Sequence, residues 1–259
     1  MERSNASGNV AQALWWIGIA AVIAGIGLLV ARISLAGNVT LGAGMVLLGL
    51  NTLIAGDLAG GTSTRPFAVR GPVVRGDLQA STGLADLAVG TCNPDRIASL
   101  QFGPVGKPGF EVMEGVAAVR LKQPAFPPGM TPWRADLAGN VLWDIQARSW
   151  LGSLALDLTG LRIEKATVRT TLGRISLTCP TRGYAQATLR AGVGDIEVIV
   201  PDQTGAKITI KRGKLASVTV KNKRLISYRP DRYSTQDSDS APGQIEIVIE
   251  SWAGDIVLA

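Results

Sequence analysis

The sequence predicts a mostly β fold, in which a β-solenoid-like stack of about 21-residue rungs follows two transmembrane helices. Three observations predict this fold class. Two uncharged apolar runs lie within residues 13–56, and alternating apolar and polar residues dominate after residue 66. In that second region, phrases containing glycine recur at a spacing of 21 residues.

The first apolar run, residues 13–31, contains 19 residues without a charge, long enough for a membrane helix. Trp15 and Trp16 stand at its start, where aromatic anchors of a membrane interface lie. The second run, residues 40–56, has 17 uncharged residues and includes Asn51. Joined by a short connection, the two runs predict a membrane hairpin. The first run also fits a cleaved signal peptide, and the second a buried helix of the soluble domain.

The domain organisation that follows has four parts. They are an N-terminal tail at 1–12, the transmembrane hairpin at 13–56, a linker with the first strand at 57–74, and a β-stack domain at 75–259. Arg32 is the only basic residue in the turn of the hairpin, whereas four flank its ends: Arg3, Arg65, Arg70 and Arg75. By the positive-inside rule, this bias predicts a multi-pass membrane protein with its soluble domain on the cytoplasmic side.

Phrases that begin with glycine indicate stacked rungs. Gly152-Ser-Leu-Ala-Leu156, Gly173-Arg-Ile-Ser-Leu177 and Gly194-Asp-Ile-Glu-Val198 are 21 residues apart, Gly213 follows after a further 19, and Gly254-Asp-Ile-Val-Leu258 repeats the phrase. Each unit predicts two short strands joined at a glycine corner, and successive units stack because one unit cannot bury its apolar side chains alone. The predicted rung-corner glycines are Gly152, Gly173, Gly194, Gly213 and Gly254. An ordinary β-sandwich with fortuitous periodicity is the alternative.

These phrases resemble the toast-rack domain of LiaF-like bacterial membrane proteins, the cell wall-active antibiotics response family. The similar segments are Trp143-Asp-Ile-Gln-Ala147, Leu154–Leu161, the rung that begins at Thr171, and Gly192–Pro201. The resemblance implies a right-handed β-stack anchored in the bacterial cytoplasmic membrane, which modulates an envelope-stress or antibiotic-response sensor by protein contact. The chain departs from the family in having two rather than about four membrane helices, and in Arg174, where the rung motif has an acid.

The composition excludes several kinds of catalytic and metal site. With no histidine and two cysteines, the chain has no histidine-based triad, histidine-ligated zinc or four-thiolate site. Asp157, Asp195 and Asp255 occur singly beside glycine corners, whereas calcium needs convergent oxygen ligands, so no metal or cofactor is expected. Cys179 fits a packed small hydrophobe, and whether it ever pairs with Cys92 is left open. Four tryptophans fit either caps of the stack or a ligand groove: Trp133, Trp143, Trp150 and Trp252.

The positive charge of the chain is concentrated in residues 207–232, where nine basic residues accompany one acid, Asp231, within a total net charge of +6. A strand there places Lys207 and Lys211 on its outward face. The segment fits either a solvated face or a contact with lipid headgroups or an acidic partner. Nucleic acid is not expected, because no aromatic residue lies among the basic residues before Tyr228. The predicted anionic-partner face is Lys207, Lys211, Arg212, Lys214, Lys221, Lys223 and Arg224.

The leading functional prediction is a membrane-anchored, non-enzymatic β-stack that binds a membrane protein partner such as a sensor kinase. The alternative is a structural or adhesive β-stack that self-associates at the cell envelope. An enzyme is not expected, because no carboxylate pair or lysine–serine arrangement has a suggestive spacing.

Overall fold

The computed structural model describes residues 16–26, 28, 34–54, 63–68, 73–93, 95–103, 107–123 and 131–259. The predicted N-terminal tail at 1–12 lies outside these residues, as do residues 57–62 and 69–72 of the predicted linker. The fold is therefore described for two helices and for a large β region.

Two helices precede the β region: α1, helical over residues 16–26, and α2, Ser34–Ile54. A Cβ atom added to Gly25 would lie 2.7 Å from the backbone nitrogen of Leu41, and one added to Gly44 would lie 2.8 Å from that of Val22. These contacts run in opposite directions along the two helices, which are therefore antiparallel. Glycine is required at both contacts because the backbones approach too closely for a larger side chain.

In the described residues, no helix combines the length and the apolar character that crossing a membrane requires. In α2, Asn38, Asn51 and several glycines interrupt the apolar residues. The prediction of two transmembrane helices in a multi-pass protein of the bacterial cytoplasmic membrane is therefore wrong. It relied on the length of uncharged sequence and gave too little weight to these polar and small residues.

The described residues are mostly β, and their strands join in one continuous hydrogen-bonded sheet. The strands are β1 Ser63–Phe67, β2 Arg75–Thr82, β3 Leu87–Thr91, β4 Ala98–Phe102, β5 Lys107–Met113, β6 Val116–Lys122, β7 Trp133–Leu137, β8 Leu142–Leu151, β9 Leu154–Asp157, β10 Arg162–Leu172, β11 Ile175–Thr178, β12 Gly183–Val193, β13 Ile196–Ile199, β14 Thr204–Val220, β15 Leu225–Arg229, β16 Arg232–Thr235 and β17 Gly243–Leu258.

Parallel strands form two stacks that meet at a corner. The first stack has the order β6, β2, β8, β10, β12, β17, β14. The second has the order β7, β3, β9, β11, β13, followed by the C-terminal parts of β17 and β14. Each rung therefore contributes one strand to each stack, and β14 and β17 cross both stacks as single long strands.

The 21-residue spacing of the sequence is the register of the central rungs. Ile145 pairs with Ala166 across β8 and β10, and Ala166 pairs with Ala187 across β10 and β12. Both pairs are 21 residues apart in sequence. The periodicity thus comes from parallel strands that keep the same side chains in line from rung to rung.

The predicted stacking in chain order is wrong at both ends of the stack. The rung β2–β3 lies between β6–β7 and β8–β9, although β6–β7 comes after it in the chain. Likewise β17 lies between β12 and β14, although it is the last strand described. The repeat spacing cannot reveal this order, because the strands concerned are joined through long, non-repeating connections.

Antiparallel strands pair with three of the four end strands of the two stacks. At one end β5 pairs with β6, β4 with β7 and β1 with β4. At the other end β16 pairs with β14 over Lys207–Thr209, and β15 pairs with β16. The segment Leu215–Val220 of β14 pairs only with β17 among the described residues. This C-terminal part of β14 is therefore an open edge of the second stack in the described structure.

The inward side chains of both stacks form one apolar core. Trp143 is fully buried there, and its indole nitrogen donates a hydrogen bond to the carbonyl oxygen of Ala138 at 2.9 Å. Its ring lies against Gly76, where an added Cβ atom would overlap it. A buried tryptophan is accommodated because its only polar atom has a partner.

Four of the predicted rung-corner glycines stack directly on one another. In the series Gly152, Gly173, Gly194 and Gly254, a Cβ atom on each later member would overlap the carbonyl oxygen of the one before it. The last three also have positive φ angles of 148°, 137° and 120°. Gly213 departs from the series: it lies against the carbonyl oxygen of Trp252, because β17 separates β14 from β12.

Candidate binding surface

Five basic side chains occupy the same position on five strands of the first stack, and we call them the basic ladder: Lys122, Arg148, Arg169, Arg190 and Lys211. Their cross-strand pairs form one continuous line, in which Ser81 of β2 and Glu250 of β17 take the two remaining places. All five are exposed. The line crosses six interstrand steps of about 4.8 Å, or roughly 29 Å in all.

The ladder arises from the repeat and was missed at the sequence level. Arg148, Arg169, Arg190 and Lys211 follow one another at 21 residues. These residues lie outside the phrases that begin with glycine, and the density of charge along the chain does not reveal their alignment across rungs. Recurrence of a basic residue at the repeat spacing is the signal that identifies the surface.

The ladder carries more positive charge than the surrounding acids neutralise. Glu250 is bridged by Arg190 at 2.8 Å and by Lys211 at 3.2 Å. Within the described residues, Lys122, Arg148 and Arg169 have no ion-pair partner. The half of the ladder on β6, β8 and β10 therefore presents cations to solvent, where they attract anions within a Debye length.

Two exposed tryptophans stand beside the ladder, in a line that we call the tryptophan row: Trp150, Thr171, Gly192 and Trp252. Each member lies two residues after a residue of the ladder line, on the same outward face of the sheet. Trp150 is 60% exposed and Trp252 is 62% exposed. Thr171 and Gly192 fill the two strands between them, so small residues separate two large aromatic side chains.

Two adjoining clefts connect the ladder with the tryptophan row. One, of about 650 Å³, is lined by Arg169, Arg190, Lys211, Thr171, Gly192 and Trp252 among others. The other is lined by Arg148, Trp150, Arg169 and Thr171 among others. Arg169 and Thr171 belong to both, so the clefts form one groove with basic side chains along one side and a tryptophan near each end.

Whether the seven residues predicted as an anionic-partner face bind an anionic partner stays a prediction, but the structure gives their contacts within the fold. Four of these residues are held in ion pairs: Lys207 with Asp239 at 2.6 Å, Lys211 with Glu250 at 3.2 Å, Arg212 with Asp231 at 3.0 Å and Arg224 with Asp237 at 2.8 Å. Arg224 also donates to the carbonyl oxygens of Pro201 and Thr204. These four are therefore engaged within the fold, and only Lys211 belongs to the ladder.

The other three residues of that predicted face, Lys214, Lys221 and Lys223, are exposed and have no ion pair within the described ranges. Lys214 and Lys221 immediately flank Leu215–Val220, the open segment of β14. Charged side chains at an open edge oppose pairing with another chain. Their position indicates protection of this edge.

The ion pairs near β14 shift the pKa values of the groups that form them. The hydrogen bond to Asp239 raises the pKa of Lys207, and the same bond lowers the pKa of Asp239. Burial raises the pKa of Asp237, but hydrogen bonds from Thr235 and the backbone, together with the Arg224 guanidinium, lower it overall. When the carboxylates are ionised, these pairs link the 237–239 turn to Lys207 of β14 and to Arg224, which precedes β15.

The remaining residues singled out from the sequence have structural roles. Trp133 and Trp143 are buried in the core, in contrast to the two tryptophans of the groove. Cys92 and Cys179 are free thiols, and burial raises the pKa of Cys179 to about 12. In the described ranges, no three His, Cys, Asp or Glu side chains are grouped so that they could hold a metal ion.

One carboxylate pair lies on the outward face away from the ladder. Asp77 and Asp144 are direct neighbours across β2 and β8, and one oxygen of each is buried without a hydrogen-bond partner in the described structure. Burial, followed by the nearby Asp77, raises the pKa of Asp144. This carboxylate pair lies four residues before the ladder line on the same two strands, so the outward face has acidic groups on one side and basic groups on the other.

The fold is shared with a solved bacterial structure. A candidate cell adhesion protein from Clostridium sporogenes is similar with a TM-score of 0.69 and 18% identity, over 77% of this chain and 98% of that chain. Candidate adhesins from Bacteroides fragilis (TM-score 0.30, 10% identity, 77% of this chain and 97% of that chain) and Parabacteroides merdae (TM-score 0.22, 9% identity, 78% and 97%) are weaker similarities. No protein family profile and no curated protein matches the chain.

Proposed function

We propose that the protein is an adhesive β-stack that binds a polyanionic partner through the basic ladder. The observation that carries this proposal is the alignment of five basic side chains across seven neighbouring strands, with Glu250 as the single carboxylate in the line. The fold shared with the candidate cell adhesion protein of C. sporogenes supports an adhesive role.

The ladder suits a partner with repeated negative charge. A single exposed ion pair contributes only about 0–1 kcal/mol, but contacts to one linked chain of anions reinforce one another. The parallel strands fix the spacing of Arg148, Arg169 and Arg190 at about 4.8 Å, and Ser81 and Glu250 place each lysine at about twice that distance from the nearest arginine. A polymer with charges along its length can therefore contact several rungs at once, and its binding should weaken as salt increases.

The basic ladder bears differently on the two functional hypotheses from the sequence, which are modulation of an envelope sensor and adhesion by self-association. A role in modulating an envelope sensor rests on the LiaF-like resemblance, and no described contact adds support to it. Self-association by strand pairing at the open edge Leu215–Val220 is opposed by Lys214 and Lys221. We therefore favour adhesion to a different molecule, which keeps the adhesive part of the alternative hypothesis.

Binding of the full chain to immobilised dextran sulfate at increasing salt tests the proposal. The double variant Arg148→Ser/Arg169→Ser removes two unpaired cations of the ladder and should weaken binding about tenfold. The matched control is Arg162→Ser/Arg182→Ser, which removes two exposed arginines outside the ladder with the same change in net charge. Equal losses in both variants, or no binding by the unmodified protein, would reject the basic ladder as the adhesive surface.

A further inference from the structure

We infer that the groove between Trp150 and Trp252 binds a linear acidic polysaccharide, a chain of sugar rings that carry carboxylate or sulfate groups. The inference rests on the proposed function, because the same ladder supplies the cations. It adds the chemical class of the partner, which the ladder alone does not specify. The tryptophan row carries this added step.

The exposure of the two tryptophans is the first argument. Tryptophan is the largest apolar side chain, and the two other tryptophans of the described β region, Trp133 and Trp143, are buried. Trp150 and Trp252 remain more than half exposed on a well-packed, rigid part of the sheet. Large exposed aromatic side chains grouped on one rigid surface are typical of binding sites.

The spacing of the two tryptophans is the second argument. The strand order β8, β10, β12, β17 places them three interstrand steps apart, or roughly 14 Å. Thr171 and Gly192 lie between them and leave the floor of the groove low. A Cβ atom on Gly192 would lie 2.5 Å from the carbonyl oxygen of Thr171, so the packing of the sheet requires glycine at this position. The groove therefore accepts a ribbon-shaped ligand that lies across the strands.

The relation between the tryptophan row and the ladder is the third argument. Two residues along a strand separate the rows, or about 7 Å. A ligand in the groove therefore meets cations along one side and an aromatic side chain near each end. Acidic sugars match this pattern, because the C–H faces of their rings are apolar and their anionic groups project from the ring edge. Arg148, Arg169 and Arg190 present planar guanidinium groups that suit carboxylate and sulfate geometry.

Single-stranded nucleic acid matches the surface less well. Successive bases need successive aromatic platforms along the strand. Here the aromatic side chains are separated by Thr171 and Gly192, which offer no stacking surface. Polyphosphate matches the ladder but has no rings for Trp150 and Trp252 to contact. These two polymers therefore serve as the discriminating probes.

The test compares the affinities of the full chain for polygalacturonate, polyphosphate, oligo(dT) and neutral dextran at one ionic strength, by titration calorimetry. Polygalacturonate should bind most tightly and quench tryptophan fluorescence. Trp150→Ala and Trp252→Ala should each weaken polygalacturonate binding about tenfold and leave polyphosphate binding unchanged. Tyr228→Ala, which removes an exposed aromatic side chain that lines neither cleft of the groove, is the control and should change neither affinity.

The outcomes separate this inference from the proposed function. If polygalacturonate and polyphosphate bind equally and the tryptophan variants change neither, the polysaccharide assignment is overturned while the ladder stands. Tighter binding of oligo(dT) that depends on both tryptophans would assign the groove to nucleic acid instead. If no polyanion binds, the proposed function fails as well. Unchanged melting temperatures of the variants establish that lost binding is not lost folding.

Discussion

Gly194 lies directly on the carbonyl group of Gly173, so closely that a methyl group on Gly194 would overlap the Gly173 oxygen. The contact repeats along the corner, where Gly173 lies on Gly152 and Gly254 lies on Gly194. The corner is therefore a column of backbone packed on backbone, and each rung sets the position of the next.

Replacement of Gly194 by alanine should destabilise the stack by about 3 kcal/mol or more, because it adds a steric overlap to a positive φ that alanine rarely adopts. Gly83→Ala is the control. Gly83 has no positive φ, and a Cβ atom there would come no closer than 3.5 Å to the nearest side-chain atom, an oxygen of Gln123. Urea unfolding of both variants measures the difference, and a Gly194→Ala variant as stable as Gly83→Ala would contradict the packed corner.

The stability of the protein should depend on the ionisation of Asp144. Because burial and Asp77 raise the folded-state pKa of Asp144, the folded state binds its proton more tightly than the unfolded state does. Ionisation of Asp144 therefore lowers the free energy of unfolding above the folded-state pKa. This loss disappears as the pH falls below the unfolded-state pKa of 3.8. Asp144→Asn should stabilise the protein at pH 7 and not at acidic pH.

The comparison for Asp144→Asn is Glu246→Gln, which removes an exposed carboxylate from the same outward line of the sheet. Chemical unfolding across the pH range gives both profiles. Lys165 and Glu164 on β10 also act on Asp144, the first lowering and the second raising its pKa. A destabilised Asp144→Asn variant at pH 7 would show that these neighbours favour the charged form.

Removal of the lysines at the open edge of β14 should promote association between chains. The double variant Lys214→Val/Lys221→Val leaves Leu215–Val220 flanked by β-branched apolar residues, which favour strand pairing. Light scattering after size-exclusion chromatography should detect dimers or larger species that increase with concentration. Lys223→Val removes an exposed lysine beyond β14 and should not change the mass. An unaltered mass for the double variant would mean that the edge is blocked by other parts of the chain.

Cys179 should be unreactive while the protein is folded. It is fully buried, and burial raises its pKa to about 12, so almost no thiolate is present at pH 8. Cys92 is partly exposed, with its sulfur 3.3 Å from the carbonyl oxygen of Arg96. Iodoacetamide labelling followed by peptide mass spectrometry should modify Cys92 first and Cys179 only in denaturant. Labelling of both at the same rate without denaturant would contradict the burial of Cys179.

The central rungs were predictable from the sequence because their pairing is periodic. Gly152, Gly173 and Gly194 repeat at the spacing that joins β8 to β10 and β10 to β12. The strand order at the ends of the stack was not predictable. Gly243 pairs with both Gly183 and Thr204, at sequence separations unrelated to the repeat. Pairing across such distances depends on tertiary packing that no local pattern records.

The candidate site was predictable only in part. Lys211 stands in the predicted basic segment, but Arg148, Arg169 and Arg190 are 21 residues apart along the chain and become neighbours only across strands. Conversely, Lys207 and Arg224 are close to other basic residues in sequence, yet the fold pairs them with Asp239 and Asp237. Charge density along the chain therefore measures a different quantity from charge density on the surface.

The place of β17 between β12 and β14 has a kinetic consequence. Ile208 and Ile210 of β14 follow Ala187 and Leu189 of β12 at the repeat spacing, so β14 can align directly with β12 as soon as both strands exist. That premature pairing would occupy the site that β17 requires, and it would have to dissociate before the native order forms. We therefore expect refolding to be slow, because a nearby, mismatched strand can compete with a distant, correct one.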